Sequence, residues 1–188
     1  TKTRLHDKLV KEFEGDTQRW QMTIGKDLSM RFNNPQVLFA SGKADLTPEF
    51  KQILDEFLPK YFHILLNDSL RSKIQEIRIE GHTANVPAPQ FDHDAYIANV
   101  ILSQQRSLSV LRYFRSMPDF ETYSDDEKKL LEYWFTANGL SYGKSVDRNG
   151  NYTIESKQPV DKDRSRRVEF RIVTSGEEVL ENFVKELK

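Results

Sequence analysis

Ile77-Arg78-Ile79-Glu80-Gly81-His82-Thr83, followed after a proline-bearing loop by Asn99-Val100-Ile101-Leu102-Ser103-Gln104-Gln105-Arg106, is the stretch on which the reading of this chain turns. Ile77 and Ile79 alternate with Arg78 and Glu80, the two-residue period of a strand with one apolar face. Pro87 and Pro89 mark the loop, and a helix is predicted from about Asp94 to Ser116, ended by Met117-Pro118 because a proline disfavours a helical residue before it. At about 100° per residue, Asn99, Ser103 and Arg106 fall within roughly 60° of one another on that helix. An amide, a hydroxyl and a guanidinium therefore share one face. The guanidinium is a planar fork of donors suited to a carboxylate, and the amide offers a donor and an acceptor to a neighbouring amino or amide group. The same spacing also describes an ordinary solvated helix face, so spacing alone leaves both readings open.

Upstream, Leu5, Leu9 and Phe13 recur at spacing four from Lys2 to Glu14, a short amphipathic helix closed by Gly15-Asp16 and placed as a connector over residues 1–16. Trp20, Met22 and Ile24, then Leu28, Met30 and Phe32, alternate with polar residues on either side of Gly25-Lys26-Asp27, which predicts a hairpin with a three-residue loop. Val37-Leu38-Phe39 is a short apolar run before Ala40-Ser41-Gly42. Thr47 as N-cap and Pro48 at the first helical position open a helix with an apolar stripe of Phe50, Ile53, Leu54, Phe57 and Leu58. Pro59 predicts a kink or an interruption before Tyr61 to Leu66 continue it.

Downstream, Ser124-Asp125-Asp126-Glu127 has the form of a capping box and predicts a helix through Ala137, stopped by Asn138-Gly139, whose closing aromatics Tyr133, Trp134 and Phe135 pack on the sheet. Gly143 to Ile154 is turn-rich. Val168, Phe170 and Ile172 alternate with Arg167, Glu169 and Arg171 in a final strand, and Glu177 to Lys188 reads as a closing helix. Strands separated by helices predict an α/β (α+β) sandwich in which helices cover a mixed sheet. It begins with an N-terminal β-hairpin and carries an extra helix around 124–137 within an insertion at about 117–141. The main domain spans residues 17–175, with a C-terminal helix over 176–188.

The 188 residues carry 28 basic and 29 acidic side chains, so no global field favours nucleic acid or an anionic membrane surface. An aromatic content of 11% is core material and excludes whole-chain disorder. The absence of cysteine excludes disulfides, thiolate metal sites and thiol catalysis. No apolar run approaches the roughly 20 residues of a membrane span. The start at Thr1-Lys2-Thr3-Arg4 reads as a fragment, with any targeting or membrane segment lying upstream. His82, His93 and Asp94 lack the helical His pair of a zinc site, Ser41 follows no nucleophile-elbow pattern, and Gly-rich phosphate loops are absent. Neither an enzyme nor a metal or cofactor is expected. The run Asp161 to Arg167 reads as a solvated loop with internal ion pairs, within which Arg166 is kept as a site candidate.

The ordered set Leu38-Phe39-Ala40-Ser41-Gly42 with Leu46, Ile79 to Thr83, Asn99 to Arg106, and Arg166-Arg167-Val168-Glu169-Phe170 resembles the OmpA-like domain, which also forms the periplasmic half of MotB-type stator proteins. The resemblance runs from Val37 to Val173. It implies a β-α-β-α-β core and a non-enzymatic domain that holds peptidoglycan by the diaminopimelate of its stem peptide. Carried over by position, Arg106 pairs with a ligand carboxylate, Asn99 and Thr83 complete the cradle, and Arg166 adds positive potential at its rim. The residue after the family's Gly-His-Thr is commonly an Asp that holds the ligand's ammonium; here it is Ala84. Such a charge-assisted bond is worth roughly 1.5 to 3 kcal/mol, so binding is expected to be weaker or differently arranged. Asp92, Asp94 and Asn85 are the candidate substitutes, although acidic residues at 92 and 94 also suit a helix start. Ser165 stands in place of the family's Asn, and Ala40-Ser41-Gly42 in place of a frequent acidic residue. The implied partners are the stem peptide, a second copy in a homodimer, and a membrane-embedded protein reached through the upstream segment. That places the domain in the periplasm, tethered to the inner membrane. A rival reading keeps the fold but not the wall ligand: a protein-interaction module marked by Ala84, with contacts along 118–140.

Overall fold

Alternation along the strands builds a sheet with two unlike faces. The computed structural model describes residues 2–175 and 183–187. Helix α1 (Lys2–Phe13) leads to strands β1 (Met22–Ile24) and β2 (Ser29–Phe32), which form the expected hairpin. A short α2 (Pro35–Leu38) and the long α3 (Pro48–Leu65) follow, then α4 (Asp68–Arg71) and the central strand β3 (Ile74–His82). Helix α5 (Ala95–Ser116), a 3-10 turn (Pro118–Thr122) and α6 (Asp125–Trp134) lead into β4 (Phe135–Gly139). The short α7 (Thr153–Ser156) and α8 (Lys162–Ser165) precede β5 (Arg167–Thr174). The strands lie in the order β1-β2-β5-β3-β4, with β3 and β4 parallel and every other neighbour antiparallel.

Cross-strand partners share a face. Met30 faces Phe170, which faces Ile79, which faces Ala137, and this side packs under the helices. Arg31 faces Glu169, which faces Glu80, so the opposite side is ionic. The apolar side meets α3 through Phe57 and Phe170, 5.1 Å apart between ring centres, and α5 through Phe135 and Phe114, 5.5 Å apart, with Phe114 also stacked on Phe62 of α3 at 4.6 Å.

Helix α3 runs through Pro59 without interruption. The proline removes one backbone donor, but Phe57, Leu58, Tyr61 and Phe62 on either side of it are all buried in one core, and their burial offsets the lost bond. Helix α1 is not a free connector. Leu5, Leu9 and Phe13 are fully buried, and the Phe13 ring lies 5.2 Å from that of Phe57, so the helix belongs to the same core as α3.

The expected helix through Ala137 is corrected. The capping box at Ser124 and Glu127 forms, but the helix ends at Trp134, and residues 135–139 become the strand β4. Trp134 turns inward, fully buried, and its indole donates to Ile74 O at 3.0 Å, while Tyr133 remains exposed. A strand parallel to its neighbour needs a crossover, and α5 with α6 supplies it. The 117–141 segment thus contributes a 3-10 turn, α6 and the edge strand β4 to the fold. Of the closing helix expected over 177–188, residues 183–186 are helical, and 176–182 and 188 lie outside the described residues. No helix among the described residues is long and apolar enough to cross a membrane.

Helix α5 lies unusually close to the sheet. A Cβ placed on Gly81 would fall 2.4 Å from Ser103 O, and one on Gly139, paired with Gly81 across the strands, would fall 2.4 Å from Gln104 N. The two glycines let the helix descend, and the small Ser103 and Ser107 complete the fit. Ser107 Oγ donates to Asn138 O at 2.7 Å, and Ser103 Oγ accepts from Ser141 N at 3.1 Å. Gly81→Ala should lower the unfolding free energy by about 1 to 3 kcal/mol in urea denaturation. Gly15→Ala, where a methyl group meets nothing within 4 Å, should change it by less than about 0.5 kcal/mol.

Candidate functional site

Where β3 ends, the chain leaves the sheet through Thr83, whose N–H donates to Ser141 O at 2.9 Å. Beside it opens a cavity of about 210 Å3, walled by the 35–42 segment, the 86–90 loop and side chains of α5. Thr83, Arg106 and Arg166 all line it, together with Phe39, Ser41 and Gln90. Arg106 reaches it from the middle of α5, which the glycine contacts hold in place. Its guanidinium donates through Nε to Lys43 O at 2.8 Å and through one terminal nitrogen to Ala40 O at 3.4 Å, and it lies 4.9 Å over the Phe39 ring. No carboxylate among the described residues pairs with it.

Burial, then repulsion from Arg166, pulls the Arg106 pKa down to about 10, so it remains a cation at neutral pH but an unfavourably placed one. An acid group entering the cavity relieves both penalties. Arg166 is fixed at one end by Asp163, while its Nε is buried without a partner. Thr83 Oγ1, on a residue only 2% exposed, is likewise unpartnered. Buried polar atoms are nearly always hydrogen-bonded in folded proteins. Two cations and two unpartnered polar atoms thus border one hollow, an arrangement whose chemistry suits an anionic oxygen group.

Of the three residues that share the helix face, only Arg106 lines the cavity. Asn99 is fully buried, and its amide donates to Val86 O and Ala95 O, both at 2.8 Å. It ties the 86–90 wall to α5 and acts on the cavity through that wall. Ser103 is spent on the backbone of Asn99, Val100 and Ser141. Ala84 is fully buried and does not line the cavity. Asp94 caps α5, accepting from Tyr96 N and Ile97 N, and Asp92 accepts from Asp94 N, so both serve the helix start. Asn85 is exposed and stands outside the lining. Phe39 and Gln90 went unnoticed as lining residues. Phe39 lay within a motif already quoted, whereas nothing near Gln90 signals its position.

Behind the cavity, the ionic side of the sheet is closed over by the 144–152 segment. Glu169 is fully buried; its Oε1 accepts from Arg167 Nε at 2.7 Å and lies 2.9 Å from Arg31 Nε, and its Oε2 accepts from Arg171 at 3.0 Å. Glu80 lies 3.3 Å from His82 Nε2 and 3.4 Å from Arg171 Nε. Ligand atoms of Glu80, His82 and Glu169 lie within 4.8 Å of one another, close enough for a metal ion. The guanidiniums of Arg31, Arg78, Arg167 and Arg171 already neutralise these carboxylates, so the group reads as an internal salt cluster. The metal set considered from sequence does not assemble either: His82 is buried in this cluster and His93 is fully exposed.

Residues 38–118 match the model of the OmpA family. Zorya protein ZorB from Escherichia coli is 36% identical over 186 residues, which cover 97% of this chain and 73% of that protein. Among solved structures, a MotB-like protein from Desulfovibrio vulgaris superposes with a TM-score of 0.58 at 21% identity, over 93% of this chain and 94% of that one. The cell wall anchor of the T6SS from Pseudomonas aeruginosa does so with 0.54 at 22% identity, over 89% and 97%. At such identities the solved structures share the fold, and ZorB carries the kinship.

The salt cluster makes the domain acid-sensitive. Burial pushes the Glu169 carboxyl up, but His82, Arg167 and Arg31 more than reverse it and hold it well below its ordinary 4.5. Burial pushes the His82 imidazole below its ordinary 6.5, against the hydrogen bond to Glu80. Both folded-state values are depressed, so the unfolded chain takes up protons first and stability falls as pH falls. Urea denaturation should show a decline beginning below pH 6.5 from His82 and a second beginning below 4.5 from Glu169. His82→Gln should remove the first. Glu169→Gln should shrink the second, to which the lowered Asp16 and Asp27 also contribute, and cost about 3 to 5 kcal/mol at pH 7, because it leaves buried guanidiniums unmatched.

Proposed function

The chain belongs to the OmpA family, and from that premise we propose that it is a non-catalytic wall anchor, gripping peptidoglycan through a carboxylate of the stem-peptide diaminopimelate. In this reading it is the periplasmic domain of a protein held in the inner membrane by an upstream segment, and it tethers a stator-like membrane complex to the wall. The observation that carries the reading is Arg106: a half-buried guanidinium with no acid partner among the described residues, fixed by backbone carbonyls at the wall of an open cavity beside the orphaned Thr83 hydroxyl. Arg166 extends the positive lining. Kinship to a Zorya protein and the shared fold with a cell wall anchor agree with it.

The lining holds rather than reacts. Its side chains are apolar, amide, hydroxyl and guanidinium, with no carboxylate, imidazole, amine or thiol to move a proton near neutral pH. One small polar site of this kind binds weakly. A homodimer offers the same wall two sites, and linkage then raises the effective concentration of the second.

Purified domain incubated with insoluble murein sacculi should sediment with them, and Arg106→Ala should weaken that retention by about 10- to 100-fold, the equivalent of one charge-assisted hydrogen bond. Failure of the unaltered protein to sediment would overturn the anchor and leave the interaction module, for which the exposed Tyr133 of α6 marks the surface to test.

A further inference from the structure

We infer that the cavity recognises its ligand by the acid group alone and leaves the neighbouring amine unread, so that a stem peptide whose side-chain amine has been acylated, as in a cross-link, is held as well as one whose amine is free. The inference rests on the anchoring role and specifies which wall chemistry that role selects.

An ammonium group needs an acidic or carbonyl acceptor, and it is repelled by cations. The cavity presents two guanidiniums, Arg106 and Arg166, and no carboxylate side chain lines it. Asp45, beside the Lys43 carbonyl that holds Arg106, is exposed and does not line the cavity, and the other nearby acids already serve internal partners. Asp163 holds Arg166, Asp92 and Asp94 order the start of α5, and Glu80 and Glu169 lie behind the sheet among arginines. The unmatched capacity of the site is cationic: Arg106 lacks an acid partner, and its pKa is lowered partly by Arg166. The remaining polar lining, Ser41, Thr83, Gln36 and Gln90, is neutral and can accept from or donate to an amide as readily as to an amine. Acylation replaces an ammonium by a neutral amide and leaves the adjacent carboxylate intact. It therefore removes a repulsion from the two guanidiniums without removing any attraction that the cavity supplies.

The test is isothermal titration of the 188-residue chain with the tripeptide L-Ala–γ-D-Glu–meso-diaminopimelate, either free or acetylated on the side-chain amine. The acetylated peptide should bind with a Kd within about threefold of the free one, and amidating the carboxylate beside that amine should weaken either by about tenfold or more. Arg106→Ala removes the carbonyl contacts to Lys43 and Ala40 as well as the charge, so Arg166→Gln serves as a second variant and should weaken both peptides by the same factor. A tenfold preference for the free amine would overturn the inference while leaving the anchor standing. Absence of binding by both peptides at millimolar concentration would overturn the two together.

Discussion

The descent of α5 onto the sheet at Gly81 and Gly139 is the contact from which the rest of the molecule follows. The two residues face each other across the parallel strands β3 and β4, and side chains there would strike the backbone of Ser103 and Gln104. Ser103, Ser107 and Gln104 then hydrogen-bond the end of β4 and the chain beyond it. That seam sets the height and rotation of α5, and with them the reach of Arg106 into the cavity. It also explains why a glycine precedes His82 and Thr83: the strand must be bare where the helix crosses it, immediately before its end supplies the hydroxyl of Thr83.

The sheet beneath is divided by charge. One side is a conventional aromatic core; the other holds Arg31, Arg78, Glu80, His82, Arg167, Glu169 and Arg171, several of them almost fully buried. Such networks are costly to desolvate and add little net stability when complete, but losing one member is expensive. Their contribution here is to fix strand register. A one-residue slip of β5 would carry Glu169 into the aromatic layer and Phe170 among the arginines.

Much of this architecture is legible in the residues because the relevant signals are local. The alternation of Met22 to Phe32, the capping box at Ser124 and the proline after Met117 each fix their element without distant contacts. Strand β4 escaped because Phe-Thr-Ala-Asn-Gly has no alternation, and Asn138-Gly139 mimics a helix stop; only pairing with β3 and the inward turn of Trp134 make it a strand. Helix α3 likewise continues past Pro59 because burial on both sides of it, a non-local effect, decides the outcome. At the cavity, Arg106, Arg166 and Thr83 could be placed in advance. The role of Asn99 could not, because helical spacing gives a direction from the axis but not the loop carbonyl waiting there.

The seating of α1 has a mechanical side. Leu5, Leu9 and Phe13 dock mainly on α3 and β1, with Phe13 wedged between Trp20 and Phe57. A pull on the first described residues would thus be delivered to the aromatic interior and the rim of the hairpin. Stripping that helix away would uncover the Phe57 side of the aromatic interior, so residues 2–13 are a wall of the core and not a detachable lead.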